Sequence, residues 1–236
     1  MEGKGLHILL SSLSLVALLA IQSADAGVPA IYVFGDSTAD VGNNNYLSMN
    51  AAKANFPFNG IDFPGGVPTG RFGNGYVVSD YMAKMFGFKR SPPPFLSLTF
   101  ETFGKISSGV NFASGGSGIL DTTKLYSLGA RKFGILNMGI LGCIPAMRSK
   151  TPSGDCVEDL NVYGLKELKI ACCGGGRLNG ESPCTPNATY CSNRHQYMFW
   201  DRFHPSQATY KLTVQAFYDD GSSMFVYPIN FKQLAA

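Results

Sequence analysis

The sequence predicts a layered α/β fold, and three observations carry that expectation. Short apolar runs without polar alternation recur at Ile31–Phe34, Val110–Ala113 and Lys132–Met138. Strands buried on both faces of a parallel sheet read this way. Between and after them lie apolar stripes with helical spacing. The first two strands stop at glycine-bearing turns, where an α/β sheet places its sites, beyond the C-terminal strand ends. At 236 residues the chain fits one domain, or one large and one small. A 45% hydrophobic, 15% charged composition supplies a core and excludes a disordered chain. Lys and Arg are scattered and the formal charge is only +3, so no nucleic-acid footprint exists.

The elements follow in order. Ile31–Phe34 runs into Gly35-Asp36-Ser37. Asn43-Asn44-Asn45 and the Pro/Gly-rich stretch 56–75 predict a long irregular loop. Val77, Val78, Tyr81, Met82, Met85 and Phe86 form the stripe of a helix over Tyr76–Phe88, broken by Ser91-Pro92-Pro93-Pro94. Val110–Ala113 leads into Ser114-Gly115-Gly116-Ser117-Gly118. A short helix over Thr123–Leu128 ends at Gly129, and Lys132–Met138 is the third strand. Residues 142–195 are rich in Cys, Gly, Pro and Asn, with a short helical piece at Leu165–Ile170. Pro205–Phe217 is the last helix, with Pro205 at its first position.

Residues 1–26 read as a secretory signal peptide. Lys4 precedes an apolar run from Ile8 to Ile21, and Ala24-Asp25-Ala26 presents small residues for cleavage. The run is short for a bilayer span, and no later stretch is long enough. The expectation is a secreted single domain over 27–236 with no membrane span after cleavage. Six cysteines, Cys143, Cys156, Cys172, Cys173, Cys184 and Cys191, then suggest disulfides. Local loops Cys143–Cys156 and Cys172/Cys173 with Cys184/Cys191 fit, among 15 possible pairings. A zinc site from the Cys172–Cys191 cluster and His195 is the weaker reading, because no Cys-x-x-Cys pair is present. No metal or cofactor is called for. Asn187-Ala188-Thr189 is a glycosylation sequon in a polar loop.

Candidate chemistry starts from the histidines. Outside residues 1–26 only His195 and His204 remain. His204 lies in Trp200-Asp201-Arg202-Phe203-His204-Pro205, where proline disfavours α conformation at His204. A loop of that spacing folds Asp201 back onto the imidazole, fixing its tautomer. Taken alone, these residues are better explained by a capping aspartate and a surface histidine, because Asp-x-x-His is common by chance. Ser37 stands at the C-terminal end of a buried strand, where its hydroxyl is exposed and turn N–H groups face an anion. Serine is a weak nucleophile until a base removes its proton, so Ser37 needs the distant histidine. Gly116 offers an uncovered N–H to an oxyanion. A turn or cap serine and a plain glycine loop are the bland alternatives. No phosphate-cradling glycine pattern is present.

Together and in order, these segments resemble the plant-type GDSL esterases/lipases of the SGNH hydrolase superfamily. The matching segments are Phe34-Gly35-Asp36-Ser37-Thr38-Ala39-Asp40, Gly42-Asn43-Asn44-Asn45-Tyr46, Pro64–Phe72, Asn111–Gly116, Leu128–Lys132, Leu141–Pro145, Ala171–Gly174 and Trp200–Ser206. Thr38 replaces the Leu of the family name. The resemblance implies a three-layer αβα, flavodoxin-like sheet and hydrolysis of carboxylic esters, with a small-molecule or lipid ester as substrate. It implies Ser37 as nucleophile and oxyanion donor, His204 as base, Asp201 as its orienter, and Gly116 as the second oxyanion donor. One family block has no counterpart: the Gly-x-Asn-Asp-like strand end whose asparagine completes the oxyanion hole. Asn137 is a conceivable substitute, though its position fits another family segment better. Abrupt junctions near 122–124 and 161–162 mark internal deletions that would remove one or two sheet strands. The alternative to an active esterase is therefore a catalytically impaired or unstable shortened member with at most a binding role.

Overall fold

The computed structural model describes residues 27–104, 106–117, 132–136, 143–155, 165–219 and 226–236. The expectations for residues 1–26, the Thr123–Leu128 helix, Asn137, Cys156 and both deletion junctions lie outside them. The described strands are β1 (Ile31–Val33), β2 (Gly109–Asn111), β3 (Glu167–Ala171), β4 (Cys173–Gly174), β5 (Thr189–Tyr190) and β6 (Tyr197–Phe199). The described helices are α1 (Val78–Met85), α2 (Phe100–Phe103), α3 (Pro145–Arg148), α4 (Gln207–Asp219) and α5 (Phe231–Ala235). The protein is mixed α/β. Its described strands form three separate two-stranded sheets, not one continuous sheet: β1–β2 and β3–β6 are parallel, and β4–β5 is antiparallel.

Three sequence expectations are corrected. Residues 165–170 are not helical; they lead into and form most of β3, which pairs with β6. Residues 132–136 are not a strand, and Ile135 is 89% exposed, because no described strand lies beside them to complete a ladder. The last helix starts at Gln207 rather than Pro205. Pro205 is instead bridged to Phe199, and the Ser206 hydroxyl accepts the Thr209 N–H at 3.2 Å as an N-cap.

α1 and α4 pack on each other against the β1–β2 pair. Their core is Ala39, Val41, Val77, Val78, Met82, Ala113, Tyr210 and Val214, with Val33 packed against it. Asp80 starts α1 by reaching back to the Val77 N–H at 3.0 Å, and it holds Arg71 through two bonds of 2.8 Å. A second cluster centres on Cys172, Cys173, Cys184 and the fully buried Trp200. Its disulfides are Cys172–Cys191 and Cys173–Cys184, closing separations of 19 and 11 residues. Cys143 is also disulfide-bonded. These cysteines are therefore not available to the zinc reading.

With only three residues in each of β1 and β2, side chains do much of the joining. Asp40, fully buried, accepts the N–H groups of Gly42, Asn43 and Gly115 at 2.7, 2.7 and 3.0 Å. Asn43 donates to the carbonyls of Asn111 and Ala113, both at 2.8 Å, and accepts the Leu96 N–H at 3.0 Å. Asn44 donates to the carbonyls of Ala52 and Gly115 and accepts the Ser114 hydroxyl. Asn111 donates to the Ala39 carbonyl and accepts the Ala113 N–H.

Asn43→Ala would leave the part-buried Leu96 N–H without its acceptor and weaken the satisfaction of two buried carbonyls. A loss of about 2–4 kcal/mol is expected in urea unfolding, far above that of an exposed Asn→Ala change. Removing Cys173–Cys184 by a double Cys→Ser change should cost about 3 kcal/mol on chain-entropy grounds, read as a lower thermal midpoint.

Candidate active site

Ser37 sits in the turn after β1. Asp36 shapes that turn: its carboxylate accepts the Thr38 N–H at 2.9 Å and the Thr38 hydroxyl at 2.7 Å, and its carbonyl accepts the Ala39 and Asp40 N–H groups. Gly115 and Gly116 lie in the turn after β2, and the Ser114 N–H donates to the Gly35 carbonyl at 3.0 Å, locking the turns side by side. A Cβ on Gly115 would lie 2.5 Å from the Phe72 ring, so only glycine allows that approach. Gly116 has φ +89° and open space around it. Among the described residues, the Ser37 and Gly116 N–H groups have no hydrogen-bond acceptor.

Asp201 and His204 occupy a tight loop between β6 and α4. Trp200 N–H donates to the His204 carbonyl at 2.8 Å, and Phe199 bridges Pro205, closing the loop at its base. Inside it, Asp201 Oδ1 accepts the Phe203 and His204 N–H groups, both at 2.8 Å. Both Asp201 carboxylate oxygens lie 2.9 Å from His204 Nδ1. His204 Nε2 lies 2.9 Å from Ser37 Oγ, across 167 positions of sequence. The structure thus brings Ser37, His204 and Asp201 into one hydrogen-bonded chain and sets the Gly116 turn beside the Ser37 turn. His195 is not in this group; it lines a polar groove of about 490 Å³ with Asp62, Arg194 and Lys211.

The electrostatics are those of a buried ion pair. Burial pushes the His204 pKa down, but the Asp201 charge and hydrogen bond, with the Asp36 charge, outweigh it, so it lies above 6.5. Burial likewise raises Asp201, but the His204 charge, the His204 ring bond and two backbone N–H bonds bring it below 3.8. The Tyr210 phenol is pushed well above 10 by burial, then by the Asp201 and Asp36 charges.

Sequence reasoning missed Phe72 as part of the site. Its ring lies 5.4 Å from the His204 ring and against the Gly115 backbone, so it spans both halves of the site. It also missed the supporting role of Asp40, Asn43, Asn44 and Asn111; the signal was the density of Asp and Asn flanking a buried strand. Asn187, in the β4–β5 connection, and Thr189, which opens β5, are both exposed.

Comparisons with known proteins show what the chain is similar to. A family model for GDSL-like lipase/acylhydrolase matches residues 31–129, which include Ser37 and Gly116 but not Asp201 or His204. GDSL esterase/lipase At5g55050 of Arabidopsis thaliana is 27% identical over 343 aligned positions, covering 89% of this chain and 91% of the relative. GDSL esterase/lipase At4g16230 of the same plant is 28% identical over 356 positions, covering 94% and 95%. GDSL esterase/lipase 6 is 26% identical over 357 positions, covering 99% and 98%. Residues 31–129 are thus similar to a GDSL-like lipase/acylhydrolase domain. Over most of its length the chain is similar to these plant GDSL esterases/lipases, and it is shorter than they are. An alignment of 343 positions against a chain of 236 residues leaves at least 107 positions with no residue of this chain.

The pair should be visible by titration. His204, raised in the fold, contributes stability that is complete below pH 6.5 and lost as pH rises through its folded pKa. Asp201, lowered in the fold, contributes stability present above pH 3.8 and lost as pH falls through its folded pKa. Asp201→Asn should therefore cost most stability between pH 3.8 and 6.5. It should also bring the His204 imidazole titration, followed by NMR, down from its raised position.

Proposed function

We propose that this chain is a secreted serine esterase that hydrolyses carboxylic esters, small-molecule or lipid, through an acyl-enzyme on Ser37. The observation that carries the reading is the continuous hydrogen-bonded chain from Ser37 Oγ through His204 to Asp201. In this reading His204 Nε2 takes the Ser37 proton as Oγ attacks the acyl carbon. Asp201 stabilises the imidazolium that forms and keeps Nε2 facing Ser37. The Ser37 and Gly116 N–H groups donate to the oxyanion of the tetrahedral intermediate. Collapse expels the alcohol, which takes the proton from His204. Water then attacks the acyl carbon, giving a proton to His204, and the acid leaves as Ser37 recovers it.

Secretion is supported by the leader-like first 26 residues and by the disulfides, which persist in oxidising compartments. Among the described residues no helix is long and apolar enough to cross a membrane. An exposed sequon at Asn187 supports a glycan there. We also infer that β1, β2, α1 and α4 correspond to part of a flavodoxin-like, three-layer sheet that the internal deletions have shortened.

The test is hydrolysis of p-nitrophenyl acetate, together with labelling by a serine-directed phosphonate. Ser37→Ala should abolish both, and mass spectrometry should map the adduct to Ser37. Replacing His204 by Ala should lower kcat by about 10³-fold or more while substrate binding persists. Because the neutral imidazole is the base, activity should rise with pH through a midpoint above 6.5. A folded, monodisperse sample with neither turnover nor labelling would instead support the impaired reading.

A further inference from the structure

Among the described residues β1 pairs on one side only. Ile31 and Val33 bond to β2: the Ile31 N–H donates to the Ser108 carbonyl, and the Val33 carbonyl accepts the Phe112 N–H. The backbone groups of Tyr32 and Phe34 point away from β2. Among the described residues neither their N–H nor their C=O groups have a partner. The opposite edge of the pair is different, because the Asn111 N–H there donates to the Pro93 carbonyl. The free edge is also apolar and exposed: Tyr32 is 62% and Phe34 48% accessible, and Phe34 stacks on Phe112 with ring centroids 5.0 Å apart. From Gly27 to Phe34 the chain carries no charged residue, so the edge lacks a common device that keeps strands from pairing with other chains.

We propose that this edge pairs with the same edge of a second copy, giving a two-fold dimer through antiparallel β1 strands. The register follows from the free groups. Placing Tyr32 opposite Phe34 of the other copy, with Val33 on the axis, lets each Tyr32 and each Phe34 exchange both of its bonds with its opposite number. All four free N–H groups and all four free carbonyls of the two copies are then satisfied. On the exposed face the same register sets Tyr32 beside the other copy's Phe34, an aromatic cross-strand pair. A partner of different sequence would have to supply an uncharged strand of matching register; a second copy supplies it by symmetry. Pro29 and Asp36 fall outside the four bonded residues and do not block them.

The proposal stands apart from the esterase reading, and its tests do not use activity. Sedimentation equilibrium on the full chain should give a concentration-dependent dimer. Tyr32→Pro removes an N–H with no intramolecular partner, so the fold should persist by circular dichroism while the dimer weakens about tenfold or more. A chain monomeric at every soluble concentration, or a dimer indifferent to Tyr32→Pro, overturns it. Should Tyr32→Pro fail to fold, cysteine pairing decides. Bonded antiparallel positions lie about 5.5 Å apart at Cα, within disulfide range. Mixing Tyr32→Cys with Phe34→Cys chains and oxidising should therefore cross-link them, and neither variant should cross-link alone. Cross-links within each variant, or none in the mixture, would mean a different register or a different occupant, and the proposal would fail.

Discussion

The structure depends most on a buried polar knot formed by Asp40, Asn43, Asn44 and Asn111. A two-stranded sheet of three-residue strands is marginal on its own. The knot replaces missing ladder bonds with side-chain bonds to backbone, tying the Ser37 turn to the Gly115–Gly116 turn. Its stability comes from completeness. Asn43 uses both amide hydrogens and its carbonyl oxygen, and Asp40 accepts three N–H groups. Filled networks of this kind rigidify a site because each bond restricts the geometry of the next, whereas a half-filled one would cost more than an apolar core.

The second half of the site is held by other means. Cys172 and Cys173 pair by backbone with Phe199 and Trp200, and their disulfides anchor that segment, so the Asp201–His204 loop springs from a cross-linked base. The two halves meet through the loop 56–75. Asn59 accepts the Trp200 indole N–H at 3.3 Å, and Asp62 holds Arg194 through bonds of 2.7 and 2.8 Å. Asn74, at the edge of that loop, accepts the Gln207 N–H at 2.8 Å, and Phe72 fills the space under His204. A stretch without regular structure thus sets the register between Ser37 and His204. Its fixed shape comes from bonds at both ends, not from secondary structure.

Local geometry was legible in the sequence, and non-local pairing was not. Ser37 could be read because an apolar strand ending in Gly-Asp-Ser exposes a hydroxyl. The His204 loop could be read because Pro205 forbids helix there and Asp201 stands at the spacing of a folded-back turn. β3 was misread because Leu165, Leu168 and Lys169 have helical spacing. Tertiary pairing with β6, next to the cross-linked Cys172, overrides that preference. The segment 132–136 was misread in the opposite direction. Its apolar run looks like a buried strand, yet Phe133 and Ile135 are exposed, since a strand exists only beside a partner. Phe72 and the asparagine knot needed three-dimensional knowledge, because their partners lie tens of residues away.

The shortened chain separates two things usually argued together, a sheet and the site it carries. At least 107 aligned positions of a relative have no residue here, and the described strands do not form one sheet. Yet Ser37, His204 and Asp201 still lie within hydrogen-bond reach. The reason is that none of the three is positioned mainly by a strand ladder. Ser37 is held by an Asp-anchored turn and the polar knot, and His204 by an Asx-type loop over disulfides. The sheet's larger role is to bury apolar faces and cover strand edges. Its reduction should therefore appear first as exposed aromatic surface at Tyr32 and Phe34, and only later as disorder at the site.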